Sequence, residues 1–340
     1  MKNSTSIPLT IVMYHYVRNL KYCRYPEIDG LSKENFLEQI KYIKRYYNVI
    51  SGQQLIEAIR GAKDLPDNPL LLTFDDGYID HFTEVFPVLD KEKLPGCFFP
   101  PVRCILEQEL LDVNKIQFIL ASTQDKKILV DYILDKIEEN QSRYKLLTAA
   151  EYWQRVAGTS RWDSEEVVFI KRVLQRELPY KLREEITDEL FKKHVTSDEA
   201  TLSRETYMTP DQIRTLQKHG MYIGSHGYSH SWLDRQSRSE QEKEIDQSLL
   251  FLDSIGASTD HWIMCYPHGA YSESLISILK SRKCTAGLTV EVGLASLDSG
   301  DVMKLPRINT NDLPKSRRAA ANKWTRLALK EDMASLPLSV

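Results

Sequence analysis

Short apolar segments with no polar alternation recur along the chain, and segments of helical periodicity separate them. A strand that is buried on both faces has such a composition, and in α/β proteins helices cover both faces of a parallel sheet. The alternation therefore predicts an α/β fold built on a parallel sheet. The predicted strands lie in LTIVMYHYV, LLLTF, GCFFPPV, MYIGSH, IMCYP, TAGLTV and KLPRIN.

Two predicted helices start with recognisable capping signals. Ser32 precedes a segment in which Phe36, Ile40 and Ile43 share one face. The sequence TPDQ (209–212) combines an N-cap threonine with proline at the first helical position and a capping-box glutamine. Both predicted helices alternate with predicted strands along the chain.

Residues 105–205 interrupt the alternation, because they show helical periodicity and almost no strand signal. Apolar residues recur every fourth position, as at Leu182, Ile186 and Leu190, with Lys and Glu between them. We predict an α/β unit of residues 8–104 and 206–320, a helical insertion at 105–205, and a helix or tail at 321–340. The basic stretch KSRRAAANKW is predicted to be this final helix, with contact to an acidic or phosphorylated partner as a further possibility.

The composition argues against several classes of function. A net charge of -3 gives no reason to expect nucleic-acid binding or general attraction to an anionic membrane. Five cysteines without a CxxC spacing argue against a disulfide framework and a cysteine zinc site. No apolar run approaches the length of a membrane span, and the first residues resemble a strand rather than a signal peptide. We therefore expect a cytoplasmic protein without a membrane span, while the oligomeric state stays open.

One predicted strand, within LLLTFDDGYID, ends in two adjacent aspartates, Asp75 and Asp76. Neighbouring carboxylates repel each other, so one of them ionises less readily unless a cation lies nearby. A bound cation is one explanation of the pair. The other is an Asp-Gly turn whose aspartates cap the following helix.

A second motif, IGSHGYSH, places His226 and His230 four residues apart at the end of another predicted strand. Parallel α/β folds collect their functional loops at the carboxyl ends of the strands, so both motifs are predicted to share one rim. Two imidazoles and one carboxylate form a three-ligand site that leaves positions open for water and substrate, as in hydrolytic zinc sites. A solvated loop is the alternative for the histidine pair alone.

Together these segments resemble the polysaccharide deacetylase family, also known as the NodB homology or carbohydrate esterase family 4 group. The segments TFDDGY, IGSHGYSH and YPHGAY occur in the family's order, and MYHYV, GCFFPPV and LPRI support them. The resemblance covers roughly residues 8–104 and 206–314 and excludes the helical insertion. It implies a distorted, NodB-like (β/α) barrel of about seven parallel strands.

The resemblance also implies an activity, the metal-dependent hydrolysis of an N-acetyl, sometimes O-acetyl, group on a sugar. Asp75 matches the catalytic base, and Asp76, His226 and His230 match the ligands of a divalent metal, commonly Zn2+. A ligated Asp76 stays anionic, whereas Asp75 remains free to take a proton from the attacking water. The backbone N–H of His268 matches the family's oxyanion donor.

The chain departs from the family at two places. Cys265 stands where the family commonly has an arginine that orients the base, and Arg307 of LPRI is the predicted replacement, with a surface ion pair as the alternative. No histidine follows His268, although the family's general acid is typically a late histidine. We predict His268 as the acid in preference to His15, with a carboxylate or Tyr271 as further possibilities. Structural roles are expected for His81, His194, His219 and His261.

The expected function is removal of an N-acetyl group from an acetylated amino sugar that is free, nucleotide-linked or lipid-linked. The expected compartment points to assembly of a surface polysaccharide such as lipopolysaccharide O-antigen or capsule. A deformylase or another amidase of the same superfamily is one alternative. A non-catalytic, metal-containing sugar-binding protein is another, although binding alone would not require Asp75 beside the metal ligand.

Overall fold

A computed structural model describes residues 7–160, 163–298 and 300–330 of the chain. The chain divides into two compact units. The barrel unit consists of the chain up to Asn19, of Gly30–Gln108, and of the chain from Arg204 onward. The helical unit consists of Leu20–Asp29 and Glu109–Ser203. The sequence patterns gave no indication that Leu20–Asp29 belongs to the helical unit, and residues 331–340 of the predicted tail lie outside the described residues.

The strands of the barrel unit are short, and three of them are buried along their whole length. They are β1 (Thr10–Tyr14), β2 (Val17–Arg18), β3 (Leu31–Ser32), β4 (Asn48–Ile50), β5 (Pro69–Asp75), β6 (Cys97–Phe99), β7 (Tyr222–Ile223), β8 (Trp262–Cys265), β9 (Cys284–Val292) and β10 (Leu305–Asn309). All seven strands predicted from the sequence are present among them. The short strands β2, β3 and β4 were not predicted.

Parallel pairing joins the strands in the order β7-β6-β5-β1-β10-β9-β8, and β4 also pairs with β5. Val12 of β1 stands opposite Leu72 of β5 and Ile308 of β10, which brings the carboxyl ends of these strands to one rim. Ser225, just beyond β7, forms a parallel bridge with Met264 of β8 and so links the two ends of the order. The fold is the predicted distorted (β/α) barrel of the NodB type.

Helices surround the sheet of the barrel unit and form most of the helical unit. They are α1 (Lys33–Tyr46), α2 (Gly52–Ile59), α3 (Phe86–Glu92), α4 (Val102–Leu106), α5 (Asp112–Ser122), α6 (Lys126–Tyr144), α7 (Ala149–Val156), α8 (Glu165–Arg172), α9 (Tyr180–His194), α10 (Glu199–Thr206), α11 (Pro210–Lys218), α12 (Arg238–Ser254), α13 (Glu273–Ser281) and α14 (Lys323–Ala328). No helix within the described residues has the length and apolar character that a membrane crossing requires.

The predicted caps of two helices are confirmed. The Ser32 side chain accepts the N–H of Asn35 at the start of α1. At the start of α11, Thr209 and Gln212 form the predicted capping box. Such caps satisfy backbone donors that have no partner within the helix, which is why they are recognisable in the sequence.

The barrel interior is filled by side chains that point inward from successive strands. Because alternate residues of a strand point to opposite faces, each strand supplies one or two of them. A single cluster of fully buried residues contains Ile11, Leu71, Cys97, Phe99, Ile263, Leu288 and Leu305. Burial of each such side chain contributes about 1.5–3 kcal/mol, so this cluster fixes the strand ends on which the functional residues stand.

The helical unit contains an ion cluster around one buried lysine. Lys115 of α5 lies 2.8 Å from Asp188 of α9 and 3.0 Å from Glu199 of α10. Burial alone would lower the pKa of Lys115, but the two carboxylates raise it. Lys115 therefore does not lie on a solvated helix face, and its ion pairs join three helices.

The prediction for KSRRAAANKW is wrong for most of that stretch. Only its last two residues are helical, because α14 begins at Lys323. The Asn322 side chain accepts the N–H of Thr325 and so caps α14 at this point. The carbonyl groups of Ala319 and Ala320 accept hydrogen bonds from tyrosine side chains instead of from helical N–H groups. Tertiary hydrogen bonds thus override the helix propensity of the three alanines.

Candidate active site

The two adjacent aspartates diverge because the chain turns sharply after Asp75, the last residue of β5. Asp76 and Gly77 both have positive φ angles, of 71° and 66°. A Cβ atom at Gly77 would lie 2.9 Å from the Cβ of Pro100, so this turn requires glycine. Asp75 and Asp76 are both buried, with 1% and 4% of their surfaces exposed. The turn therefore places two buried carboxylates side by side with different neighbours.

Asp75 is held by Arg307, which lies on β10 and is itself buried. Arg307 Nη1 donates to Asp75 Oδ1 at 3.0 Å, and Nη2 lies 2.8 Å from Oδ2. Arg307 also donates to the carbonyl of Thr289 and to the hydroxyl of Thr73, which fixes its orientation. Burial would raise the pKa of Asp75, but the charge and hydrogen bond of Arg307, together with His226 and His15, outweigh this effect, and the pKa is lowered. The structure thus places Arg307 on Asp75, and Asp75 is kept anionic.

Asp76 meets the two histidines of IGSHGYSH. His226 Nε2 and His230 Nε2 each lie 3.3 Å from Asp76 Oδ1. Among the described residues, this buried oxygen has no hydrogen-bond partner. The other oxygen, Oδ2, accepts a hydrogen bond of 2.7 Å from Tyr78. Three ligand atoms thus converge within 4.8 Å of one another, which fits the donor set of a divalent metal.

A second group of side chains, Asp75, His226 and Cys265, also lies within metal-binding distance. However, His226 Nδ1 lies 2.7 Å from the backbone carbonyl of Cys265, so this nitrogen carries the hydrogen and Nε2 is left free to ligate. Both oxygens of Asp75 face Arg307, and burial raises the pKa of the Cys265 thiol. The set of Asp76, His226 and His230 is therefore the better metal site.

His15 follows β1 and faces both carboxylates. Its Nε2 lies 4.0 Å from Asp75 Oδ2 and 4.0 Å from Asp76 Oδ2, and 42% of its side chain is exposed. The backbone carbonyl of His15 accepts a hydrogen bond from Nε2 of the buried His81. Burial lowers the pKa of His81 to about 4, so that this ring is neutral and serves as an anchor. His15 is thus a solvent-accessible imidazole next to the buried carboxylates.

The ring of His268 packs against Trp232 and the metal ligand His230. The ring stacks on Trp232, with centroids 4.3 Å apart and planes 6° apart, and packs edge-on against His230 at 4.6 Å. Burial, together with the neighbouring His230, lowers the pKa of His268 well below its usual value. Its backbone has a positive φ of 56°. His268 therefore touches one metal ligand through its ring, and a neutral imidazole is favoured there.

The remaining candidates from the sequence lie away from the two aspartates. Tyr271 donates to Glu291 at 3.0 Å, and His219 lies 3.8 Å from Asp90. His194 closes α9 in the helical unit, and His261 lies 3.5 Å from the hydroxyl of Thr285. None of these contacts involves the carboxylate pair.

Comparison with known proteins finds a matching family model for part of the chain. The family model described as "Polysaccharide deacetylase" matches residues 180–287, a range that includes His226 and His230. Over this range the chain is similar to the polysaccharide deacetylase family. The poly-beta-1,6-N-acetyl-D-glucosamine N-deacetylase of Escherichia coli K12 is 41% identical to it over 64 residues, which are 18% of this chain and 10% of that protein. YxkH of Bacillus subtilis is 29% identical over 101 residues, which are 29% of this chain and 36% of that protein.

Solved structures of similar fold cover nearly the whole chain. The Streptococcus pyogenes deacetylase PplD, in complex with acetate, aligns with a TM-score of 0.55 at 15% identity and covers 90% of this chain and 93% of that one. IcaB from Ammonifex degensii aligns with a TM-score of 0.52 at 16% identity and covers 95% and 96% of the two chains. At these identities the likeness shows the fold.

The loop that carries His226 and His230 is fixed from two sides. Glu244 of α12 accepts the N–H groups of Tyr228 at 3.0 Å and of Ser229 at 2.9 Å through one oxygen. The N–H groups of Val102 and Arg103, in the first turn of α4, donate to the carbonyls of Gly227 and Tyr228. Backbone groups between the histidines are therefore paired with two separate helices.

Tyr78 and Glu244 were not predicted from the sequence. Tyr78 stands two residues after Asp76, so its place in the motif DDGY was a usable signal. Glu244 lies 14 residues beyond His230 on α12, a helix that the sequence analysis did not assign, and no pattern connects it to the site.

We predict that Glu244→Leu lowers metal affinity by about 10–100-fold, the usual effect of losing an outer partner of a metal ligand. Glu244→Gln retains an acceptor oxygen for both N–H groups and should stay close to the wild type. Chelator competition measures the affinity of each variant. Glu242→Leu on the same helix controls for an added apolar side chain. Equal affinity of Glu244→Leu and the wild type would show that α4 alone fixes the loop.

Proposed function

We propose that this chain is a metal-dependent hydrolase that removes an N-acetyl group from an acetylated amino sugar. The observation that carries the proposal is the pairing of a three-ligand set, Asp76, His226 and His230, with a separate carboxylate, Asp75, that Arg307 holds. A binding protein would need the ligands alone. The name of the Escherichia coli relative, an N-deacetylase of an N-acetyl-D-glucosamine polymer, supports this substrate class.

Asp76, His226 and His230 would hold the metal, and two nitrogens with one oxygen favour Zn2+. The orphaned Asp76 Oδ1, buried between two imidazole nitrogens, fits such an ion. When bound, a divalent metal supplies Lewis-acid chemistry, by polarising the acetyl carbonyl and acidifying the attacking water.

Asp75 acts as the general base of this proposal. Arg307 keeps its carboxylate ionised, so that it can accept a proton from the attacking water. Because both oxygens of Asp75 lie near Arg307, the guanidinium also fixes the direction of the carboxylate. The backbone N–H of His268 is assigned to the developing oxyanion, as the family resemblance implies.

The leaving amine needs a proton donor, and the geometry favours His15 over His268. His15 lies 4.0 Å from both carboxylates and is accessible to solvent. The pKa of His268 is lowered by burial, so the protonated, cationic form of its ring is disfavoured. We therefore assign the donor role to His15 and a packing role to the His268 ring. The choice of His268 as the general acid, made from the sequence, stays a prediction.

The form of the substrate is a finer proposal. An acetylated amino sugar that is free, nucleotide-linked or lipid-linked, and a role in lipopolysaccharide O-antigen or capsule assembly, stay predictions from the sequence, as does a cytoplasmic location. Formyl or other amide groups remain the alternative substrates, because the site recognises an amide carbonyl by chemistry that these groups share.

Acetate release tests the proposal directly. Purified protein loaded with Zn2+ is incubated with N-acetylated, O-acetylated and N-formylated amino sugars, and acetate or formate is measured. We expect acetate from the N-acetylated sugars, and none from protein treated with a chelator until Zn2+ is restored. Formate without acetate would favour the deformylase alternative. Metal binding without release of either acid would favour the binding protein.

A further inference from the structure

The barrel unit carries a dense group of positive charges that the proposed hydrolysis does not use. Residues 313–330, here termed the cationic segment, contain six Lys or Arg residues and no Asp or Glu, although the whole chain has a net charge of -3. Acidic residues flank it at Asp312, Glu331 and Asp332. The six cationic residues are Lys315, Arg317, Arg318, Lys323, Arg326 and Lys330.

The backbone of the cationic segment is tied to α1 and its C-terminal end. Tyr46 donates its hydroxyl to the carbonyl of Ala319 at 3.4 Å, and Tyr47 donates to the buried hydroxyl of Thr325 at 2.9 Å. The carboxylate of Glu38 accepts the backbone N–H of Arg317 at 3.0 Å. Neutral side chains and backbone groups thus make most of the attachment, and the basic side chains are not consumed by it.

The basic side chains are therefore presented to solvent. Lys315, Arg317, Arg318 and Lys323 are exposed. Arg317 forms a long ion pair of 3.7 Å with Glu38. Across the described part of the chain, no carboxylate lies within ion-pair distance of Lys315, Arg318 or Lys323, so these three residues have no carboxylate partner there.

Apolar side chains lie among these cations. Trp324, Leu327 and Leu329 are only partly buried, and the Lys323 ammonium lies 4.9 Å from the centre of the Trp324 ring. Tryptophan beside Lys and Arg is typical of protein surfaces that meet lipid headgroups. Cations alone would serve to hold a soluble polyanion such as nucleic acid.

We propose that the cationic segment binds the anionic surface of a lipid membrane. Each Lys or Arg near such a surface adds electrostatic attraction, and the partly exposed indole can enter the headgroup layer. The contact would hold the barrel unit at a membrane without a spanning helix. The proposed membrane contact does not depend on the proposed hydrolysis.

The test is co-sedimentation of the full chain with vesicles of phosphatidylcholine, alone or mixed with phosphatidylserine. Binding is expected only to the mixed vesicles and should weaken as salt is added. A triple variant, Lys315→Gln with Arg317→Gln and Arg318→Gln, should bind on the order of 100-fold more weakly, about fivefold for each charge. The control variant removes the same charge from exposed positions elsewhere in the barrel unit, by Lys63→Gln, Lys91→Gln and Lys218→Gln. It should bind like the wild type.

Three results would overturn the proposal. They are equal binding to both kinds of vesicle, equal losses in the two triple variants, and binding to duplex DNA or dextran sulfate without binding to vesicles. Acetate release from a soluble substrate, measured in parallel, should be the same in both triple variants. A protein that binds vesicles but releases no acetate would contradict the proposed function and leave the membrane contact standing.

Discussion

Replacement of Asp75 by asparagine is expected to abolish nearly all turnover while the metal content of the protein stays unchanged. Asparagine keeps the shape of the side chain and can still accept a hydrogen bond from Arg307, but it cannot take a proton from the attacking water. Loss of a general base typically lowers the rate by about 10²–10⁴-fold. Acetate release and elemental analysis of the same preparation measure the two quantities together.

The experiment needs a control for stability, because Arg307 is charged and buried beside Asp75. Asp75→Asn leaves that guanidinium without its counter-ion, and an unpaired buried charge can cost about 3–5 kcal/mol of stability. The double variant Asp75→Asn with Arg307→Gln removes both charges and should recover stability in thermal unfolding without recovering turnover. A metal-loaded Asp75→Asn protein that lost less than about tenfold in rate would exclude Asp75 as the base.

The sequence predicted the parts of the site that depend on the ends of strands. β5 and β7 are short apolar runs, and polar residues stand at their carboxyl ends. These residues are Asp75 and Asp76 for β5 and His226 for β7, and they meet at the carboxyl rim of the parallel barrel. The division of roles between the two aspartates came from the family resemblance. The turn after Asp75, which separates the two carboxylates, is a feature that only the structure shows.

The contact of Arg307 with Asp75 could be proposed from the sequence but not established there. Cys265 stands at the position where the family commonly has the arginine. Arg307 is 232 residues from Asp75 in the sequence. Their meeting depends on the strand order, in which β1 lies between β5 and β10 and lets a long side chain reach across. Strand order is set by tertiary packing, which no local pattern encodes.

Other features depended on tertiary contacts that leave no local signal. Glu244 reaches the histidine loop from α12, whose apolar periodicity is weak, and β4 has only three residues. The stretch KSRRAAANKW has the composition of a helix, yet two tyrosine hydroxyls from α1 occupy carbonyl acceptors of its alanines. In each case the deciding hydrogen bond joins residues far apart in sequence.

Replacement of His226 by alanine is expected to remove the metal from the protein. The change deletes one of three ligands, so the affinity should fall by more than the 10–100-fold that loss of an outer partner causes. Elemental analysis should give one metal per chain for the wild type and almost none for His226→Ala. His219→Ala, a half-exposed histidine on the same unit, is the matched control and should keep its metal.

Thermal unfolding supplies a second readout that does not depend on turnover. A ligand that binds only the folded state stabilises it by about 2.7 kcal/mol at a free concentration of 100 times its Kd. Added Zn2+ should therefore raise the Tm of the wild type and of His219→Ala, but not of His226→Ala. Asp76→Asn should behave like His226→Ala, whereas Asp75→Asn should respond to Zn2+ like the wild type. If Zn2+ stabilised all five proteins equally, the metal would be bound elsewhere, and the assignment of Asp76, His226 and His230 would fail.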